Sequence, residues 1–187
     1  MSSEVLTSVD VSAASIGRTA SLAEGTEMHG RYEVECRDAN GVLRWRDHID
    51  NVVTTVGKND LLDKYLSGSA YTAAWYLGLI SATGYTGAPA AADTMASHTN
   101  WAEDQNYSQG ARPTAAFAAA SAGSKALSSA LTYSINATTT IKGCFVTSVS
   151  TKGGTTGILF SAGLFTGGDK ATQNGDTLSV SYTATAT

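Results

Sequence analysis

Tyr32, Val34 and Cys36 alternate with Arg31, Glu33, Glu35 and Arg37, the period of two that marks a half-buried strand. Asn40-Gly41 follows, the favoured pair for a two-residue hairpin turn because both positions tolerate positive φ. Taken literally, that turn sets Cys36 opposite Trp45 on the inner face and Glu35 opposite Arg46 outside. It also sets Arg37 against Arg44, an unfavourable pair, so a longer loop starting at Asp38 stays open. The period then changes. Val56, Leu61, Leu62, Tyr65 and Leu66 fall near helical spacing and Ser67-Gly68 closes the segment, which predicts a helix of about ten residues over Lys58–Leu66. It is expected to plug one end of a barrel or to pack on one sheet.

WYLGLI, residues 75 to 80, is a continuous apolar run and reads as a strand buried on both faces. A Gly-, Ala- and Thr-rich loop with Pro89 leads from it into DTMASHTNWAEDQNYSQGARP, residues 93 to 113. Beyond Thr114, AAFAAAS, ALTYSINA, TTIKGCFVTSVS, TGILFSAGLF and DTLSVSYTATAT are strand candidates, separated by turns such as KGGTTG and TGGDKATQNGD. The fold class expected is mainly β: an antiparallel sandwich or barrel, Ig-like or jelly-roll-like, with one short helix and an extended N-terminal arm. Residues 28–187 form the single β-rich domain. Small Ala and Gly residues within the strands imply close sheet packing or the close approach of another subunit.

Residues 1–27 are different in kind. Val5, Leu6, Val9, Val11, Ile16 and Leu22 lie among small polar residues at spacings that fit neither a helix nor a strand. Such a segment buries too little apolar surface of its own to offset its chain entropy, so an arm that gains shape against a partner is expected. The segment lacks a basic start and a continuous apolar run, so it does not read as a secretory signal. No stretch is long and apolar enough for a membrane helix, and no membrane partner is expected.

Composition narrows the partners. Charged residues make up only 15% of the 187 positions, below the roughly 25% usual for soluble proteins, and Ser, Thr, Gly and Ala fill about half. That suits a tightly packed β protein. The net charge is −4 and the 12 Lys and Arg are scattered, so the footprint of a nucleic-acid binder is missing. Cys36 and Cys144 lie in strand-like segments among apolar neighbours and are read as buried free thiols rather than a disulfide.

Asp93, His98, Trp101, Glu103, Asp104 and Arg112 make residues 93–113 the densest run of reactive side chains. His98 five residues before Glu103 is no metal-ligand spacing, and the chain has 3 histidines and no Cys-x-x-Cys, so neither a metal nor a cofactor is expected. No Gly-x-Ser-x-Gly elbow occurs, KGGTTG lacks the ending of a P-loop, and carboxylate pairs are available in any acidic loop. No residue is assigned as catalytic. The economical reading is structural: Asp93-Thr94 caps a short helical turn through Met95 to His98, Trp101 inserts as an anchor, and Arg112 pairs with Glu103 or Asp104.

Four blocks in order, NVVTTVGKNDLLDKYL, WYLGLI, DTMASHTNWAEDQNYSQGARP and IKGCFVTSVSTKGGTTGILFSAGLFTGGDKATQNGDTLSVSYT, resemble a family of small structural virion proteins of tailed bacteriophages. The likeness covers residues 50 to 187 and leaves the arm outside it. It implies a non-enzymatic cement or decoration protein on the capsid exterior, a homotrimer bridging neighbouring major capsid subunits, assembled in the cytoplasm of the bacterial host. Val5, Leu6, Val9, Val11, Ile16 and Leu22 would then be the capsid-binding residues. The alternatives are a tail or head-fibre component touching the host surface, or a carbohydrate-binding β-sandwich. Tyr71, Tyr85, Trp101 and Tyr107 would serve there as loop-tip contacts, and Arg112 with Trp101 and Tyr107 is the set of loop contacts expected here.

Overall fold

The computed structural model describes residues 26–71 and 74–187. The arm residues Val5, Leu6, Val9, Val11, Ile16 and Leu22 lie outside the described residues. In chain order the elements are β1 (Met28–Arg37), β2 (Leu43–Asp50), β3 (Val52–Val53), α1 (Thr55–Leu66), β4 (Tyr76–Ser81) and β5 (Glu103–Asp104). Then come β6 (Ser124–Ala126), β7 (Leu131–Ser134), β8 (Thr139–Thr147), β9 (Leu159–Leu164), β10 (Lys170–Thr172) and β11 (Thr177–Ala186). They build two antiparallel sheets. The first runs β2-β1-β11-β6, with β7 also on β11, and the second runs β3-β9-β8-β4-β5, with β10 on β8. The fold is therefore a sandwich. Between the sheets, Tyr32, Val34, Cys36, Leu178 and Val180 of the first meet Leu77, Leu79, Cys144 and Val146 of the second.

The alternation along β1 does what period two demands, burying Tyr32, Val34 and Cys36 while the charged residues between them stay outside. The expected pairs Cys36 with Trp45 and Glu35 with Arg46 are both present, and Arg46 lies 2.5 Å from the Glu35 carboxylate. The Arg37–Arg44 conflict is removed by a bulge that sets Arg37 opposite Leu43. Asp38 opens the longer loop and its carboxylate accepts the Asn40 and Val42 N–H groups, both at 2.9 Å. Released from the ladder, Arg44 donates to the buried Asp176 at 2.9 Å and to Gln173 at 2.9 Å, tying the hairpin to the turn before β11.

Asn51 stands where the chain crosses from the first sheet to the second: its N–H donates to the Gly30 carbonyl at 2.9 Å, and its Nδ2 donates to the Tyr182 hydroxyl at 3.1 Å. Ser161 bonds the Tyr32 hydroxyl at 3.0 Å and the Tyr133 hydroxyl donates to the Leu77 carbonyl at 2.7 Å, so the buried phenols tie sheet to sheet. Burial pushes the Tyr32 and Tyr133 hydroxyls well above the ordinary tyrosine range.

The helix is longer than the spacing predicts, beginning at Thr55. Thr54 caps it, accepting the Gly57 N–H at 3.1 Å and donating to the Leu159 carbonyl, so one side chain both starts the helix and docks it on β9. A Cβ on Gly57 would lie 2.6 Å from the Phe160 carbonyl oxygen, which is why the helix can lie against the strand. AAFAAAS is not a strand: it contributes only isolated bridges, Phe117 to Leu127 and Ser121 to Ser124, because a run of Ala offers no alternating apolar face. The small residues of β9 serve packing within the chain. Ala162 is buried, and a Cβ on Gly163 would lie 2.5 Å from Ile49, so neither marks the approach of another subunit. Both cysteines are free and buried; burial, with the Asp176 carboxylate 3.6 Å away, pushes the Cys36 thiol up to about 12.

Candidate functional site

WYLGLI is covered on both sides, as its unbroken apolar run demands. Leu77 and Leu79 face the first sheet, while Ile80 joins Met95, Trp101, Phe145, Leu159 and Ala162 in a second, smaller core on the outer face of the second sheet. The stretch 93–113 is the lid over that second core. Gly78 makes room beneath it, since a Cβ there would sit 2.2 Å from the Phe145 ring.

Arg112 is the centre of the lid. Only 2% exposed, it donates from Nε and Nη2 to the two oxygens of Glu103 at 2.9 and 2.8 Å, from Nη1 to the Val149 carbonyl at 2.8 Å, and from Nη2 to the Gly154 carbonyl at 2.9 Å. Its guanidinium lies 5.2 Å from the Phe145 ring centre. Glu103 also accepts the Gly153 N–H at 2.6 Å. A buried ion pair with four guanidinium N–H groups and both carboxylate oxygens hydrogen-bonded is the form in which such a pair is tolerated. Of the two partners open to Arg112, the structure selects Glu103; Asp104 instead accepts the Thr139 hydroxyl at 2.5 Å and the Asn106 N–H at 2.9 Å.

The rest of the lid follows the same rule. Asp93 accepts the Trp101 Nε1–H at 2.9 Å and the Ala90 N–H at 3.0 Å. His98 stacks on the Trp101 ring with centroids 4.0 Å apart, and its Nδ1 donates to the Trp101 carbonyl at 3.0 Å. Trp101 is the anchor expected of it. The helical turn expected from Asp93 to His98 is instead a tight turn closed by Thr94 and Ser97, whose hydroxyl and backbone groups bond across it at 3.0 to 3.2 Å. Threonine and serine side chains offer the backbone that non-helical alternative.

The expectation of loop contacts at Trp101, Tyr107 and Arg112 is corrected by their burial, which is 2% exposure or less for each. They face the interior and hold the loop. Lys152, which the sequence pattern did not single out, is the missing clamp: its ammonium donates to the carbonyls of Gln105, Tyr107 and Gln109 at 3.2, 2.8 and 2.9 Å and lies 4.1 Å from the Tyr107 ring centre. The signal available for it was a lone Lys opening a glycine-rich turn. Among the described residues no helix is long and apolar enough to cross a membrane.

The exposed apolar side chains lie elsewhere. Leu62, Tyr65 and Leu66 of α1 and the following Tyr71 are 50%, 82%, 73% and 82% exposed. Beside them an apolar groove of about 520 Å3 runs between α1 and the β6–β11 edge, floored by Trp75, Phe117 and Phe160. Searched against protein-family models and against curated proteins, the chain matches neither.

Proposed function

We propose that the protein is a structural virion component of a tailed phage, a cement or decoration protein that binds the outer capsid surface and bridges neighbouring major capsid subunits. The observation that carries this reading is where the reactive side chains of residues 93–112 are spent. Asp93 and His98 are engaged in bonds to Trp101 within the lid, while Glu103 and Arg112 pair with each other and, with Asp104, tie the lid to Thr139, Val149, Gly153 and Gly154. A stretch that could have supplied a catalytic group supplies rigidity, which is what a clamp on a large particle requires. The resemblance of residues 50 to 187 to small phage virion proteins supports the same reading. So does the composition of the leader, aliphatic residues set among small polar ones. If several leaders act from one oligomer, effective concentration multiplies a weak hold into a firm one.

Particles assembled with and without the protein test this. Loss of a cement protein lowers the temperature at which the genome escapes and leaves host attachment unchanged. Heads of unchanged thermal stability that no longer attach would replace the reading with the tail or head-fibre one, for which the exposed Tyr65 and Tyr71 are the candidate contacts. Deleting residues 2–27 is expected to abolish binding to empty shells.

A further inference from the structure

We propose that in the free chain the groove between α1 and the β6–β11 edge is occupied by the chain's own leader, through Ile16 and Leu22. The groove is built for an apolar guest: Leu61, Tyr65, Trp75, Phe117 and Phe160 line it, with Trp75 and Phe160 in ring contact at 5.3 Å. Left open, it would join the exposed side chains of α1 in one apolar surface on a chain that buries its other aromatics well.

The position of the leader's exit names the guest. Met28, the first residue of β1, itself lines the groove, and Glu27 is already fixed beside it, exchanging backbone hydrogen bonds with Thr187 at 2.7 and 3.0 Å. Leu22 stands six residues before Met28, a span of up to about 20 Å at roughly 3.3 Å per residue, which brings it within reach without strain. A tether this short holds the guest at an effective concentration on the order of millimolar, so a contact too weak for a free peptide still fills the site. Charge agrees. Lys125 at the rim meets no carboxylate among the described residues, donating only to the Ala118 carbonyl at 2.9 Å, and Glu24 lies four residues before Met28. Val5, Leu6, Val9 and Val11 remain for a partner, so the leader carries two apolar halves with separate tasks.

The inference concerns the free chain and stands apart from the virion reading. Its test is the full-length chain carrying Ile16→Asp and Leu22→Asp, changes that leave every described residue intact. Binding of an apolar fluorescent dye is expected to rise several-fold over the unaltered chain, and a synthetic peptide of residues 14–25 is expected to displace the added dye. The proposal is overturned if the unaltered chain already takes up as much dye as the variant, if the variant gains none, or if the peptide displaces none. It is also overturned if the two substitutions convert a dimer to a monomer on gel filtration, since the leader would then cross to a second copy.

Discussion

The lid of residues 93–113 and the helix Thr55–Leu66 exchange the places their compositions suggest. The lid carries two carboxylates, an arginine and a tryptophan in the interior, whereas the helix carries Leu62, Tyr65 and Leu66 outside. The difference lies in what each backbone offers. Apart from the two-residue β5, the lid has no helix or strand to satisfy its peptide groups, so it can cover the second core only if side chains and neighbouring carbonyls are hydrogen-bonded one by one, and its polar residues supply those bonds. The helix satisfies its own backbone and is docked by Thr54 and Gly57, so its apolar side chains are not needed for its placement. Polar sequence marks the interior here because the interior there is irregular.

Arg112→Ala is the largest expected break in that contrast. It leaves Glu103 buried and unpaired and is expected to cost about 4 kcal/mol, read from chemical denaturation. A loss under about 1 kcal/mol would mean the lid is held by Trp101 and Met95 alone. Asp47 sharpens the comparison at a site outside both regions. Burial disfavours its charge, but hydrogen bonds from Lys170, the His48 N–H, the Thr166 hydroxyl and the Gly167 N–H outweigh that and hold its carboxyl well below the usual range. A depressed folded-state pKa contributes stability above the unfolded value near ~4 and loses it as the pH falls further. Asp47→Asn should therefore cost about 2 kcal/mol at neutral pH, with the gap to the parent chain closing below about pH 4. A gap constant across that range in pH-dependent unfolding would refute the role of the charge. The smallest effect belongs to the helix: Leu62→Ser with Leu66→Ser should shift unfolding by no more than about 0.5 kcal/mol while raising solubility, measured by denaturation and by light scattering.

Much of the sheet structure was legible because alternation is local. β1, β2, β4, β8, β9 and β11 announce themselves in runs whose period or apolar length leaves little choice, and the Cys36–Trp45 register followed from one turn. What failed was local chemistry with two outcomes. AAFAAAS is compatible with a strand and was denied one, β6 and β10 are too short to show a period, and the helix began three residues early because Thr54 had a second task on β9. Of the candidate site, the anchor Trp101 and a pairing of Arg112 with Glu103 or Asp104 could be read from residue types, but not the choice of Glu103 nor the burial, which depends on Phe145 and Gly78 approaching from distant strands. The groove was invisible for the same reason, since its lining comes from segments far apart in the chain, from Met28 to Ala186.

The mutual hydrogen bonds of Glu27 and Thr187 place both ends of the folded body at one corner. A reporter protein fused after Thr187 would therefore crowd the very doorway through which residues 1–25 leave, and any assay of that segment is better served by a small label at the solvent-facing Ala39–Gly41 tip of the first hairpin.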